Sequence, residues 1–341
     1  MRMEVGFGLV HGKRVIVREG SVEDLPEVSA RRWWRMLSIA DAGRFLHQRY
    51  GSRAGGVEAL GAGAWSVAYA FTLDGRDAVA RFGQYGDDFA KDRRMGACAS
   101  PRLPIPRVLD SGEAPGGHFA VSERVHGIPI DDLDGARMRA VLPSLFRALD
   151  ALAEIDVSAR RGFGSWGPDG DADTPDWPSA LCRFAGNRLS GWRARLEASP
   201  IGTGPMEIAA ARLQELTRDL PEVRHVIHGD LLHWNVFADG PSISGLIDWG
   251  NSLYGDALYD AAWLIFWWPW YPQWAEIDIR AEFERHWADR GAVPPQRELR
   301  LLCYQLRIGL EHIAYNAWTG NEPHLRRCAQ QTLELAMDAP R

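Results

Sequence analysis

The spacing of hydrophobic and polar positions changes near residue 127 of this chain. Ser38 stands before Ile39, Ala42, Phe45 and Leu46, which are apolar at helical spacing, and Asp41 three residues on completes a capped helix start. From about residue 57 to 125 the pattern shortens to strand-like segments. Residues 65–73 and 77–82 predict two strands joined by a tight turn at Asp74-Gly75. A helix is expected over 87–99, followed by the segments LPIPRVLDSG and GHFAVSERV. One helix among several antiparallel strands predicts a small α+β lobe.

Beyond Gly127 helical periodicity dominates, over 137–156, 178–196, 205–219, 255–267, 275–289 and 296–317. Loops rich in Pro and Gly, such as 162–178, separate these segments. The first 36 residues read as an extension, with GKRVIV at 12–17 predicting a short strand and 31–34 a short helix. The expected organisation is therefore an extension at 1–36, a β-rich lobe at 37–125 and a larger, mainly helical lobe at 126–341.

Composition narrows the class. A chain of 341 residues suggests roughly two domains at about 150 residues each. With 46% hydrophobic and 25% charged residues, disorder, collagen-like repeats and coiled coil are excluded. Lys and Arg total 39 against 45 Asp and Glu, a net charge of -6, which argues against a nucleic-acid partner and favours a cationic ligand. Cys98, Cys182, Cys303 and Cys328 lie far apart with no C-x-x-C pair, as expected of reduced thiols in a cytoplasmic protein. The opening MRMEVGFGLV meets His11, Lys13 and Arg14 before an apolar run of leader length develops. The most apolar stretch, 261–270, is short and holds Pro269, so no membrane segment is expected. A monomer is expected.

The strongest chemical signal is His228-Gly229-Asp230-Leu231-Leu232-His233-Trp234-Asn235, with Ile247-Asp248-Trp249 behind it. Both segments border short apolar runs, as loop residues leaving buried strands do. Phosphoryl transfer needs one carboxylate to orient the acceptor hydroxyl and two oxygen ligands to hold Mg²⁺ on the nucleotide phosphates. An H-x-D-x-x-x-x-N spacing followed by a second Asp is the arrangement of protein kinases. Two rival readings remain at this point. His225, His228, Asp230 and His233 have side chains that suit zinc, but this leaves Asn235 and Asp248 unexplained. A polar turn with hydrogen-bonded histidines is the plainer alternative.

An N-terminal nucleotide clamp favours the kinase reading. Gly61-Ala62-Gly63-Ala64-Trp65-Ser66 has the glycines that let backbone approach phosphates, though a third glycine is missing. Arg81 in AVARF stands where a kinase places its phosphate-binding lysine, and a guanidinium suits phosphate oxygens equally well. Asp92, with Asp88 as the alternate, is the expected acidic partner on the next helix. Residues 122–127 then form a hinge whose backbone, from Glu123 to Val125, is expected to bind adenine.

On these residues the chain resembles the aminoglycoside phosphotransferase family, and within it the hygromycin B phosphotransferase branch. The resemblance is carried further by LPIPRVLDSGE (103–113), FGSWGPDG (163–170), LPEVRHVIHGD (220–230), the 247–270 segment and LRIGLEHI (306–313), so it spans about 38 to 320. It implies a two-lobed protein-kinase-like α+β fold. It implies ATP or GTP and Mg²⁺ as cofactors, Asp230 as the catalytic aspartate, and Asn235 and Asp248 as metal ligands. Gly61, Gly63, Ser66, Arg81, Asp92, Glu123 and Val125 would serve the nucleotide, and His228 would brace the catalytic loop. The Leu-Leu-His-Trp centre of the loop departs from the pattern expected of the hygromycin enzymes, which bears on substrate rather than on reaction.

A cationic aminoglycoside calls for a cleft lined by carboxylates and aromatic rings. Trp268, Trp270, Glu276 and Glu311 are the substrate-contact candidates, whereas the helical spacing of Trp263 and Trp267 points to core packing. Asp169, Asp171 and Asp173 open like a calcium loop, but Thr174 and Ala180 stand where its glycine and glutamate are required, which excludes calcium. Asp256 is expected to be structural, bracing the catalytic loop. Two alternatives remain: a kinase of another hydroxyl compound such as choline, a sugar or a different antibiotic, and a nucleotide-binding pseudokinase on the same fold.

Overall fold

In the computed structural model, residues 7–10, 13–16 and 37–338 are described. The short helix expected at 31–34 lies outside them. The chain forms two compact units, Met1–Gly127 with Ser244–Gly250, and Ile128–Ile243 with Asn251–Arg341.

In the first unit, β1 (Phe7–Val10) and β2 (Lys13–Ile16) form an antiparallel pair. Helix α1 (Ile39–Tyr50) starts at the predicted cap: Ser38 Oγ accepts the Asp41 N–H at 3.1 Å, and the Asp41 carboxylate accepts the Ser38 N–H at 3.0 Å. Five antiparallel strands follow: β3 (Ala54–Ala62), β4 (Ser66–Leu73), β5 (Arg76–Gly83), β6 (Val108–Ala114) and β7 (Gly117–Glu123), ordered β3-β4-β5-β7-β6. Helix α2 (Gly86–Gly96) lies between β5 and β6 in sequence. Asp74 (φ 53°) and Gly75 (φ 74°) are both left-handed, which makes the expected two-residue hairpin turn. Alternate residues Val67, Tyr69 and Phe71, Ala78, Ala80 and Phe82, and Phe119 and Val121 cover one sheet face under Ala42 and Leu46 of α1. Arg81, between Ala80 and Phe82, therefore emerges on the opposite face.

The second unit holds β8 (Ile128–Pro129), α3 (Gly135–Ala153), β9 (Phe163–Trp166), β10 (Ala172–Thr174), α4 (Trp177–Cys182), α5 (Trp192–Glu197), α6 (Gly204–Leu216), β11 (His225–Ile227) and β12 (Val236–Asp239). The chain leaves it inside β13 (Ser242–Leu246) and returns at Asn251 for β14 (Leu253–Gly255), α7 (Leu258–Trp267), α8 (Ile279–Asp289), α9 (Arg297–Thr319) and α10 (Glu322–Met337). A small sheet runs β10-β9-β14-β11, and β12 pairs with β8. The long helix α9 packs against α5, α6, α7 and α10. Every residue of α7 is buried, so this helix is a core element, apolar all round. No helix among the described residues is long and apolar enough to cross a membrane.

Three expectations change. The single boundary drawn at 125/126 misses residues 244–250, which go with the first unit because Leu246 N–H donates to Pro104 O at 2.8 Å and Trp249 N–H to Asp92 at 2.9 Å. The helix expected over 178–196 is two helices, since Ala185 (φ 58°) and Gly191 (φ 78°) take left-handed conformations that no helix continues through. Helix α10 went unforeseen because its buried stripe, Leu325, Cys328, Ala329, Thr332 and Ala336, is mostly small or polar.

Candidate active site

In the first unit, Gly61, Gly63 and Ser66 gather at the turn from β3 to β4, where Gly63 N–H donates to Ser66 O at 2.8 Å. Gly61 has φ 151°, and a Cβ there would meet nothing within 4 Å, so the turn is open on that side. Two rungs down the ladder, Arg81 pairs with Ala68 of β4 and Ala120 of β7, its guanidinium 5.2 Å from the Phe89 ring centre. It forms an ion pair with Asp92 and stands 3.6 Å from Asp248. Asp92 is buried, and its other oxygen accepts the Trp249 N–H. Lys91, next in sequence and also buried, donates to Gly250 O at 2.9 Å. Consecutive residues of α2 thus grip both sides of Trp249 and fix the turn bearing Asp248, whose φ is 62°. Asp92, not the alternate Asp88, is the partner of Arg81.

At the hinge, the Glu123 carboxylate holds the Arg107 guanidinium at 2.7 Å, and the Glu123 N–H donates to Arg107 O at 3.0 Å. Arg124 N–H donates to Asp77 O at 3.3 Å. The expectation for adenine is accordingly narrower: both of these N–H groups are engaged within the unit. Val125 packs against Gly245, where a Cβ would come within 2.4 Å of its side chain.

In the second unit the loop from His228 to Asn235 joins β11 to β12. Two buried carboxylates fasten it. Before Asp230, Asp260 of α7 accepts the N–H groups of His228 at 2.8 Å and Gly229 at 2.9 Å. After it, Asp131 accepts the N–H groups of His233 at 2.8 Å and Trp234 at 3.0 Å, and also the Tyr271 hydroxyl at 2.6 Å. His233 (φ 66°) and Trp234 (φ 65°) are consecutive left-handed residues without being glycine, a strained backbone that Asp131 stabilises. His228 is fully buried and its Nδ1 accepts the Asp230 N–H at 3.2 Å, in the expected bracing role. Asp256, expected to brace the loop, instead forms a buried pair with Arg300, both N–H···O contacts at 2.7 Å, and accepts from Tyr304. Asp260, one helical turn on, braces the loop.

Asp230 Oδ1 lies 2.8 Å from His233 Nδ1, and Oδ2 accepts from Asn251 Nδ2 at 3.1 Å. Burial alone would raise the Asp230 pKa, but the bond to His233 together with the charges of His233, His228 and His312 outweighs it and holds the carboxyl below its ordinary range. His233 moves up correspondingly, since the hydrogen bond and charge of Asp230 and the charge of Asp131 together exceed the effect of burial. Burial lowers the pKa of His312, whose ring centre is 6.5 Å from that of His233. Asn235 donates its amide to Asp230 O at 2.9 Å, an arrangement that reserves its Oδ1 for another partner. The side-chain oxygens of Asn235 and of Asp248 are each hard donors of the kind Mg²⁺ accepts. Among the described residues, no three His, Cys, Asp or Glu side chains group in a metal-holding arrangement, so the zinc reading has no ligand set.

Of the substrate candidates, Trp268 is buried and its indole donates to Ile277 O at 3.0 Å, which places it in the core. Trp270 is half-buried, its N–H on Gln331 at 2.8 Å and the Arg327 guanidinium 4.0 Å from its ring centre. Glu311 pairs with Arg307 one turn earlier, and Glu276 is exposed. The rings around His233, the residue bonded to Asp230, are those of Trp263 and Trp267, buried as their spacing predicts and edge-on to His233 at 6.1 and 5.2 Å. Trp270 touches this group through Trp267 at 5.0 Å. Asp131 and Asn251 were not singled out from sequence. Asp131 lies in the acidic run IDDLD, a signal too common to separate from a solvated turn.

Residues 56–298 match the model of the phosphotransferase enzyme family. The chain is 34% identical over 290 residues to the hygromycin-B 4-O-kinase of Escherichia coli, covering 84% of this chain and 81% of that protein. It is similar to a thermostable mutant of aminoglycoside phosphotransferase APH(4)-Ia in ternary complex with AMP-PNP and hygromycin B, with TM-score 0.76 and 31% identity over 86% of this chain and 97% of that one. A second thermostable mutant of that protein, in complex with ADP and hygromycin B, aligns with the same TM-score of 0.76, 31% identity and the same coverage, 86% and 97%.

Proposed function

The chain belongs to the phosphotransferase enzyme family, and from that premise we propose that it transfers the γ-phosphoryl group of ATP to a hydroxyl of hygromycin B or a closely related aminoglycoside. The observation that carries this reading is the Asp230 carboxylate, fixed through both of its oxygens by His233 and Asn251. The acceptor hydroxyl donates to this carboxylate, which orients an oxygen lone pair toward the γ-phosphorus. The acceptor O–P bond forms as the bond to the β,γ-bridging oxygen breaks. ADP departs with that electron pair, and the hydroxyl proton passes to Asp230 and then to water.

Arg81, oriented by Asp92, offsets charge on the phosphate oxygens, and the glycines at 61 and 63 let the turn that carries Ser66 approach them closely. Val125 meets adenine through its backbone. Asn235 and Asp248 supply oxygen ligands for Mg²⁺, which when bound neutralises phosphate charge. The ammonium groups of the acceptor suit Glu276 and the net charge of -6, with Trp270 as an aromatic wall. The identity to a 4-O-kinase favours the 4-hydroxyl as the site of transfer.

The test is nucleotide consumption with Mg²⁺, supplying ATP or GTP and, in turn, hygromycin B, other aminoglycosides and choline. Turnover with ATP and hygromycin B is expected. Turnover with choline alone would give the chain a metabolic substrate, and nucleotide binding without turnover would make it a pseudokinase.

A further inference from the structure

The ladder between β11 and β14 determines where one further side chain falls. His225 lies opposite Gly255, Val226 opposite Tyr254 and Ile227 opposite Leu253. Continued one step beyond Ser252, the same antiparallel register sets Asn251 opposite Gly229, the residue before Asp230. The packing bears this out. Ser252 Oγ donates to Ile227 O at 2.7 Å, and a Cβ on Gly229 would lie 2.8 Å from the Asn251 carbonyl oxygen. Gly229 also has φ 75°, so space and backbone both demand glycine there. The glycine of the catalytic loop is thus what lets Asn251 come close.

From this position Asn251 Nδ2 donates to Asp230 Oδ2 at 3.1 Å, while His233 occupies Oδ1 at 2.8 Å. Rotation of an Asp carboxylate about its terminal bond is soft. One donor on one oxygen leaves its plane free to swing; a donor on each oxygen fixes the plane. Asn251 itself is exposed. An exposed amide hydrogen-bonding a carboxylate adds little to folding, because water competes for the amide. Its effect falls on orientation.

We propose that Asn251 is a positioning residue for phosphoryl transfer, fixing the plane of the Asp230 carboxylate so that its remaining lone pairs face the acceptor hydroxyl. The proposal rests on the reading of Asp230 as the group that receives that hydroxyl. It requires a donor at position 251, not merely a side chain of that size. Asn251→Asp keeps the shape, removes the N–H and sets a second negative charge beside the first. Asn251→Gln keeps the N–H on a longer arm.

The experiment measures kcat, KM for ATP and for hygromycin B, and Tm in the full chain bearing Asn251→Ala, Asn251→Asp or Asn251→Gln. Asn251→Ala is expected to lower kcat by about 10- to 100-fold, with KM for ATP within about twofold and Tm near that of the unaltered protein. Asn251→Asp should fall further, and Asn251→Gln should recover part of the loss. Unchanged kcat in Asn251→Ala, or a loss that follows Tm across the three variants, overturns the proposal. Unaltered protein that turns over no acceptor, water included, overturns the functional reading and the proposal with it. An active protein indifferent to Asn251 overturns the proposal alone.

Discussion

Asp131 Oδ1 accepts the backbone N–H of His233 at 2.8 Å, joining the start of the second unit to a residue 102 positions later in the chain. The same carboxylate takes the Trp234 N–H and the Tyr271 hydroxyl, so it holds a backbone turn that two non-glycine residues would not adopt unaided. Asp131→Ala leaves two N–H groups without their acceptor, at about 1–3 kcal/mol each. A lower Tm together with lower kcat is expected. Asp131→Asn, which keeps one acceptor oxygen, should lie between the two. Thermal melts and steady-state rates on the three proteins check this, and an Asp131→Ala variant matching the unaltered protein in both contradicts it.

Arg81 is a guanidinium where kinases carry lysine, and its fork meets Asp92 and Asp248 together. Arg81→Ala should raise KM for ATP by about 10- to 100-fold, as expected for loss of a charge-assisted contact, while KM for hygromycin B stays near its starting value. Arg81→Lys should recover part of that loss through its charge. Nucleotide titrations by calorimetry give the comparison directly.

Burial pushes the Asp260 carboxyl up to about 7, against the opposing pull of the Gly229 and His228 N–H groups. An unfolded Asp ionises near 3.9. Between about pH 4 and 7 the unfolded chain has therefore lost a proton that the folded protein still holds. Stability from this group consequently falls as pH rises through that window, and is level above it. Asp260→Asn does not titrate. The difference in unfolding free energy, unaltered protein minus variant, should decline by up to about 4 kcal/mol from pH 4 to 7. Denaturant melts at several pH values measure it, and a constant difference would contradict the account.

Asp256 and Arg300 form a buried pair away from the chemistry. Removing one partner strands a buried charge, so Arg300→Ala should cost about 3–5 kcal/mol. The protein that remains folded should keep its KM for both substrates. Chemical denaturation and kinetics on the same preparation separate the two effects.

The sequence was most informative where one short segment contains a complete signal. The Ser38 and Asp41 cap, the Asp74-Gly75 turn and the spacing from Asp230 to Asn235 each lie within a few residues and answer to local chemistry. What it withheld depends on distant pairing. Asp131 and Asp260 reach the catalytic loop from 102 and 32 residues away. Asn251 acquires its place only through the register of β11 on β14. Trp268 and Trp270 look alike in sequence, and only the fold turns the first to Ile277 and leaves the second half-buried. Helix α10 was overlooked because small and polar residues, rather than large apolar ones, make its buried face.

The central claim is transfer of one phosphoryl group to hygromycin B under the control of Asp230. The most direct measurement is the mass of hygromycin B after incubation with ATP, Mg²⁺ and either unaltered protein or the Asp230→Asn variant, with nucleotide binding measured for both. The account predicts an added phosphoryl group with the unaltered protein, a rate lower by about 10²- to 10⁴-fold in the variant, and similar nucleotide affinity in the two. Unmodified hygromycin B with the unaltered protein, or equal rates in both proteins, would contradict it.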